Sequence, residues 1–296
     1  MIGKVISHLK DGDLLHVAKN YLNNFSANKR ISEWRKLKGE TDSVKIELGD
    51  NTKLKLYTDS VLSETIYVGR FENAELDFVK RYLRKGDVFM DIGANIGLFT
   101  TVGASKVGAG GKVYSFEPVK KTYSRLEENV NINSFANVSL FNAGLSNSDG
   151  ELEMTTSAEG FDAWNSFGKP TAGSNFIKEK VSIFKIDSWT KNQNVSNVNL
   201  AKIDVEGWEC NVMIGGESFF SAENAPDLLV EFTEENCKNA GFTCAGLYDI
   251  LAKYGYQMFL FDEARKKLIP EAKRKVYTHI NIVATKNPDR VSQRIK

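Results

Sequence analysis

Cysteine and histidine are equally scarce in this chain, net charge is close to nil, and no long apolar run occurs. Each shortage excludes something. Three cysteines (Cys210, Cys237 and Cys244), with no Cys-x-x-Cys spacing and no companion histidine, form neither a disulfide framework nor a zinc site. They read as reduced packing thiols of a cytoplasmic protein. Lysine plus arginine number 39 against 38 aspartates and glutamates, a net charge of +1. That balance argues against a protein whose affinity comes from neutralising nucleic-acid phosphates. No apolar stretch reaches the roughly 18 residues of a membrane-spanning helix, so no integral membrane segment is expected. The start, MIGKVISHLKDGDLL, is interrupted by Lys10, Asp11 and Asp13 and lacks a small-residue cleavage site. It does not read as a signal peptide.

What is present is globular, with 42% apolar and 26% charged residues among 296. Apolar positions at three- and four-residue spacings predict helix in residues 1–40, packed on the main domain. VKIEL (44–48) and KLKLY (53–57) alternate around Gly49, Asp50 and Asn51, which predicts a hairpin. ENAELDFVKRYLRKGD then reads as an amphipathic helix closed by Gly86. From residue 88 short apolar runs alternate with helical stretches. The runs are VFMDI, KVYSF, VSLFN, LAKID, LLVEF, QMFLF and HINIVA; helical patterns lie at 98–107, 119–132, 207–214 and 244–254. That order predicts an α/β fold, a mostly parallel seven-stranded sheet with helices on both faces. The expected division is an N-terminal helical and hairpin extension over 1–60 and one domain over 61–296. Residues 157–180 read as one long irregular loop, and loops of that length are usually functional.

The chemistry starts at Asp91-Ile92-Gly93-Ala94-Asn95-Ile96-Gly97, after a strand and before a helix. Glycines at such a turn let backbone approach a ligand, and the first turn of an open α/β sheet is where nucleotide-like ligands sit. The next strand runs into Glu117, 20 residues after Gly97, the usual distance of an acid that binds ribose hydroxyls. Dinucleotide sites need G-x-G-x-x-G, whereas Asn95 stands where the second glycine belongs. An acid at the head of the turn repels an anion and suits a ligand carrying an ammonium and a sulfonium. S-adenosylmethionine is such a ligand.

VFMDIGANIGLFT resembles the first motif of the Rossmann-like class I methyltransferases, and is closest to the FkbM family. The resemblance continues through YSFEP, LEENVNINSFANVSLFNAGLSNSDG, IDSW and LAKIDVEGWECNVMIGG, over about residues 57–285. It implies an S-adenosylmethionine-dependent methyltransferase. By position, Asp91 and Gly93 contact the methionine end of that cofactor, with Asn95 in the same turn. Gly97 lets the following helix sit close, Glu117 holds the ribose, and Asn142 and Ala143 lie beside the adenine. Asn142-Ala143 replaces the Asp-Ala of other class I branches, and Trp208 stands where many relatives carry a small residue.

The acceptor is read from the residues after the fourth strand. Base-amine methylases carry Asp/Asn-Pro-Pro-Tyr/Phe there; this chain has Asp204-Val205-Glu206-Gly207. A hydroxyl acceptor must lose its proton as the methyl arrives, to a base or with help from a metal. Asp204 and Glu206, projecting to one face of a strand, are the first candidates for either role. Glu231, ending LLVEF, is a possible third oxygen ligand for Mg²⁺. His279, starting the last strand, is a further candidate base; His8 and His16 read as surface residues. Phe161, Trp164 and Phe167 in the irregular loop could cover an acceptor, since aromatic faces suit the apolar faces of sugars. The cations of Arg265-Lys266-Lys267 and Lys273-Arg274-Lys275 read as a solvated face or an attractor of acidic acceptors. The expected activity is transfer of a methyl group to a hydroxyl of a sugar, glycan or related small molecule. A nicotinamide-dependent dehydrogenase and a non-catalytic cofactor-binding module are the alternatives.

Overall fold

A computed structural model describes residues 27–157 and 176–296. Residues 1–26 of the expected N-terminal helix therefore lie outside the described residues, as do Phe161, Trp164 and Phe167. Among the described residues, those up to Val44 with Leu56–Phe71 form one compact unit, and Lys45–Lys55 with Glu72–Lys296 form another.

In the first unit residues 27–40 are helical (α1). The helix Val61–Val68 (α2) starts at Ser60, whose side chain accepts from the Ser63 amide, and ends at Gly69 in the left-handed region. Trp34 of α1 packs on Tyr67 of α2 with ring centroids 5.2 Å apart. The expected hairpin is present as Ser43–Gly49 (β1) and Thr52–Tyr57 (β2), with Lys45–Lys55 of it belonging to the second unit.

The second unit is built on an eight-stranded sheet. Its strands are Val88–Ile92 (β3), Lys112–Phe116 (β4), Val138–Phe141 (β5), Leu200–Ile203 (β9), Asp227–Phe232 (β10), Gln257–Asp262 (β11), Lys267–Pro270 (β12) and Ile280–Thr285 (β13). The spatial order is β12-β11-β13-β10-β9-β3-β4-β5. β5, β4, β3, β9 and β10 are parallel, whereas β13 runs antiparallel to both β10 and β11. The eighth strand, β12, corrects the expected seven. It forms from KLIP inside the basic segment, which pairs with β11. In that segment Arg265, Lys273 and Arg274 are bound to Asp262, Asp249 and Glu271, so half of the six cations are neutralised locally.

Alternate residues of β3 serve opposite faces. A Cβ on Gly103 of the helix Leu98–Val107 (α4) would lie 2.5 Å from Phe89, so α4 lies directly on that face. Met90 and Ile92 instead join the core containing Val212 and Met213 of Glu209–Gly215 (α7) and Leu247 and Leu251 of Cys244–Lys253 (α10). Helices thus cover both faces, as the apolar runs imply. Trp189, from the IDSW segment, packs edge-on against Tyr114, Phe116 and Phe141 of β4 and β5. All three cysteines are buried and unpaired, with the Cys237 and Cys244 sulfurs 3.5 Å apart.

A second correction concerns the long loop. Phe176–Phe184 is a strand (β8), antiparallel to Gly150–Ser157 (β7) and parallel to Gly144–Leu145 (β6). Val181 and Ile183 point inward with Met154 and Val119, while Lys180, Ser182 and Phe184 are exposed. That period-two pattern is present in KEKVSIF and is masked by the polar residues before it.

Candidate active site

The chain winds outward from β3 through β4 to β5, then returns to lay β9 and β10 on the other side of β3. The carboxyl ends of β3 and β9 therefore flank a topological switch point, where open α/β sheets bind ligands. Those of the expected site residues that are described gather along this edge.

The turn after β3 is built from left-handed residues. Gly93 (φ 84°) donates its amide to the Phe116 carbonyl at 3.1 Å, and a Cβ there would lie 1.8 Å from the Asp204 carbonyl oxygen. Only glycine fits. Asn95 takes φ 48°, a conformation asparagine tolerates better than most residues, which is why it can replace a glycine. Gly97 (φ 91°) admits Leu126 of the helix Lys120–Asn131 (α5), so the close neighbour is α5 rather than the following helix α4.

Glu117, one residue beyond β4, is 6% exposed. Its Oε2 accepts from the Asn95 amide and its Oε1 from the Val119 amide, both at 3.0 Å. Two backbone donors thus hold the carboxylate in one orientation. Asn142, past the end of β5, donates its side-chain amide to the Glu117 and Pro118 carbonyls, while Ala143 beside it is buried. Asp91 is 1% exposed. Its Oδ2 accepts from the Thr100 hydroxyl at 2.6 Å, and its buried Oδ1 accepts from no protein group. Burial raises its pKa, and Lys202 opposes that rise.

Lys202 stands inside the LAKIDVEGWECNVMIGG segment but is none of the candidate site residues read from it. It stands in β9 opposite Asp91 of β3 and is 3% exposed. Its Nζ donates to Asp204 Oδ2 at 2.6 Å, lies 3.9 Å from Glu72 Oε2, and sits 4.6 Å from the Phe99 ring centre. Burial alone would lower its pKa; Asp204, Glu72 and Asp91 outweigh burial and raise it, so the lysine stays charged. Glu72, before the helix Asn73–Tyr82 (α3), carries a pKa raised to about 8, first by burial and against the pull of Lys202. The signal for Lys202 is a lone charge in the apolar run LAKI. Glu72 has none, because it comes from outside the glycine and KIDVEG motifs.

β9 stops at Ile203, so Asp204 and Glu206 do not lie on a strand as expected. A turn brings them together instead: Glu206 has φ 53° and Gly207 has φ 95°. A Cβ on Gly207 would lie 2.2 Å from the Asn236 carbonyl oxygen, and the Asn236 side chain donates to Glu206 Oε2 at 2.6 Å. Glu209 closes the turn by accepting from the Val205 and Gly207 amides at 3.0 and 3.2 Å. Burial, then Glu231, raises its pKa to about 8; the same two causes push Glu206 well above the usual carboxylate range.

Glu231 of β10 is 5% exposed. Its Oε1 accepts from the Thr233 hydroxyl at 3.1 Å and lies 3.2 Å from His279 Nδ1. Its Oε2 is buried and accepts from no protein group. His279 precedes β13, and its side chain is 62% exposed. The contact with Glu231 raises its pKa against a smaller opposing effect of burial. One oxygen each of Asp204, Glu206 and Glu231 lie within 4.8 Å of one another. The edge thus presents a fixed carboxylate at β4, a glycine turn at β3, and an acid-rich wall with one histidine at β9, β10 and β13.

The model of the Methyltransferase FkbM domain matches residues 91–258. No curated protein matches the chain. Among solved structures, an S-adenosylmethionine-dependent O-methyltransferase from Thermotoga maritima is 14% identical, with 82% of this chain and 77% of that one covered and a TM-score of 0.40. A SAM-dependent methyltransferase from Aquifex aeolicus is 12% identical over 72% and 88% of the two chains, TM-score 0.40. An rRNA methylase from Streptococcus thermophilus is 10% identical over 71% and 92%, TM-score 0.39. The family match spans more than half of the sequence and contains both the glycine turn and the Asp204–Gly207 turn, so the chain belongs to the FkbM methyltransferase family, whose methyl donor is S-adenosylmethionine.

Proposed function

We propose that the protein methylates a hydroxyl oxygen of a sugar, glycan or related small molecule, with His279 as the base. The observation that carries the choice of base is the His279–Glu231 contact of 3.2 Å. A carboxylate at Nδ1 favours the tautomer whose Nε2 accepts a proton, and it stabilises the imidazolium that results.

The residues at the glycine turn suit the donor. Asp91 has a buried oxygen without a protein donor, which a cationic group would satisfy. Asp91 and Gly93 would hold the methionine end, Glu117 the ribose, and Asn142 and Ala143 the adenine. When bound, S-adenosylmethionine supplies an electrophilic methyl on a sulfonium and leaves as a neutral thioether. The chain's own part is to orient the hydroxyl, exclude water and take the proton at His279 Nε2. Asp204-Val205-Glu206-Gly207 lacks the proline and aromatic clamp of base-amine methylases, which supports oxygen over ring amine. Phe161, Trp164 and Phe167 suit a sugar face.

A second reading rests on the three oxygens within 4.8 Å: Mg²⁺ on Asp204, Glu206 and Glu231 would acidify the hydroxyl. Against it, Lys202 and Asn236 already donate to Asp204 and Glu206. The test is release of S-adenosylhomocysteine with a pool of glycosides and nucleotide sugars. Turnover that survives EDTA is expected. Turnover abolished by EDTA and restored by Mg²⁺ would select the metal, and none with any hydroxyl pool would overturn the acceptor class.

A further inference from the structure

We infer that Lys202 is an internal counter-charge that sets how strongly the site prefers the cationic methyl donor over its neutral product. The inference rests on the glycine turn being the donor site.

Lys202 is the one buried lysine among the described residues, and no arginine there is buried. It sits in the floor of the edge, opposite Asp91 across the β3–β9 pairing and two residues before Asp204. The Gly93 turn is pressed onto the Asp204 carbonyl so closely that no Cβ fits between them. The ammonium is bonded to Asp204 and lies 3.9 Å from Glu72, and Asp91, its neighbour across the strand pairing, acts on it electrostatically.

Methyl transfer changes the charge of what occupies this edge. The donor carries a sulfonium, whereas S-adenosylhomocysteine has an uncharged sulfur there. Acids alone would favour the donor and every other cation. A fixed ammonium among them offsets that attraction. It also holds Asp204 through a 2.6 Å charge-assisted hydrogen bond, the strong class of such bonds. A buried unit charge of this kind is worth about a tenfold change in the affinity of a nearby charged ligand. Lys202 as mere packing would affect both ligands alike.

The test is calorimetric titration of the full chain with S-adenosylmethionine and with S-adenosylhomocysteine, read as the ratio of the two dissociation constants. Lys202→Met should raise the preference for the donor about tenfold, and Asp204→Asn should lower it about tenfold. The double variant should return close to the wild-type ratio, because its two charge changes cancel. Lys202→Arg keeps the charge and should keep the ratio. A ratio that stays put in both single variants, or that falls in Lys202→Met, overturns the inference. If Lys202→Met does not fold, an unchanged ratio in Asp204→Asn overturns it alone. Wild-type protein that binds neither ligand would instead overturn the donor site itself.

Discussion

Replacing His279 by alanine is expected to lower kcat by about 10²–10⁴-fold, the usual contribution of a positioned acid or base. S-adenosylhomocysteine affinity should change little, because His279 lies at β13 and the glycine turn at β3. Accessibility as well as hydrogen-bond partners distinguishes His279 from the acids around it. Of the groups on the acid-rich wall, Glu206 is held by Asn236, Asp204 by Lys202, and Glu231 faces His279. The imidazole combines an exposed ring with a carboxylate behind it. Rapid-quench measurement of methyl transfer in the alanine variant, beside Glu206→Gln, separates the candidates. Loss in the glutamine variant with near-normal His279→Ala would move the role of base to Glu206.

Glu117→Ala should weaken donor and product binding by about ten- to a hundredfold, which corresponds to about 1.5–3 kcal/mol of charge-assisted hydrogen bonds. The carboxylate is fixed by the amides of Asn95 and Val119 before any ligand arrives. With the ribose as its proposed partner it loses little freedom on binding, so the full value of those bonds should appear in the affinity. The substitution also removes the acceptor of the Asn95 amide, a residue already in a left-handed conformation, so the turn itself loses support. Glu117→Gln keeps one oxygen acceptor and should fall between wild type and alanine. Calorimetry with S-adenosylhomocysteine reads all three, and unchanged affinity in the alanine variant would remove Glu117 from the site.

The fold was legible where local pattern and tertiary role coincide. VFMDI and KVYSF are mostly apolar because β3 and β4 are covered on both sides, and the five-residue bounds read from them match the strands. The alternating hairpin around Asp50 and Asn51 was readable for the same kind of reason. β8 and β12 were not. The alternation of β8 is confined to its last residues and β12 is only four residues long, so each is recognised by its pairing with a partner strand.

The site was legible to the extent that one motif carries it. Asp91, Gly93 and Glu117, proposed for the donor site, come from a glycine turn and a spacing that contact with a nucleotide-like ligand would require. The grouping of Asp204 with Glu206 has a different cause from the expected one: a left-handed turn at Glu206 and Gly207 joins them, not strand alternation. Backbone angles of that kind leave a trace in sequence only at glycine. Lys202 and Glu72 are bound to the wall by charge, and pairing across 130 residues of chain has no periodicity to reveal it.

The central claim is that a methyl group moves from S-adenosylmethionine to oxygen on a sugar-like acceptor. The most direct measurement uses donor labelled in its methyl group, the full chain and the pool of glycosides and nucleotide sugars, with the product identified by mass spectrometry and carbon NMR. The account predicts one labelled methyl per acceptor molecule, with the chemical shift of a methyl ether, and loss of that signal in His279→Ala. Label found on nitrogen or carbon, or label transferred to nucleic acid in preference to the glycosides, would contradict it.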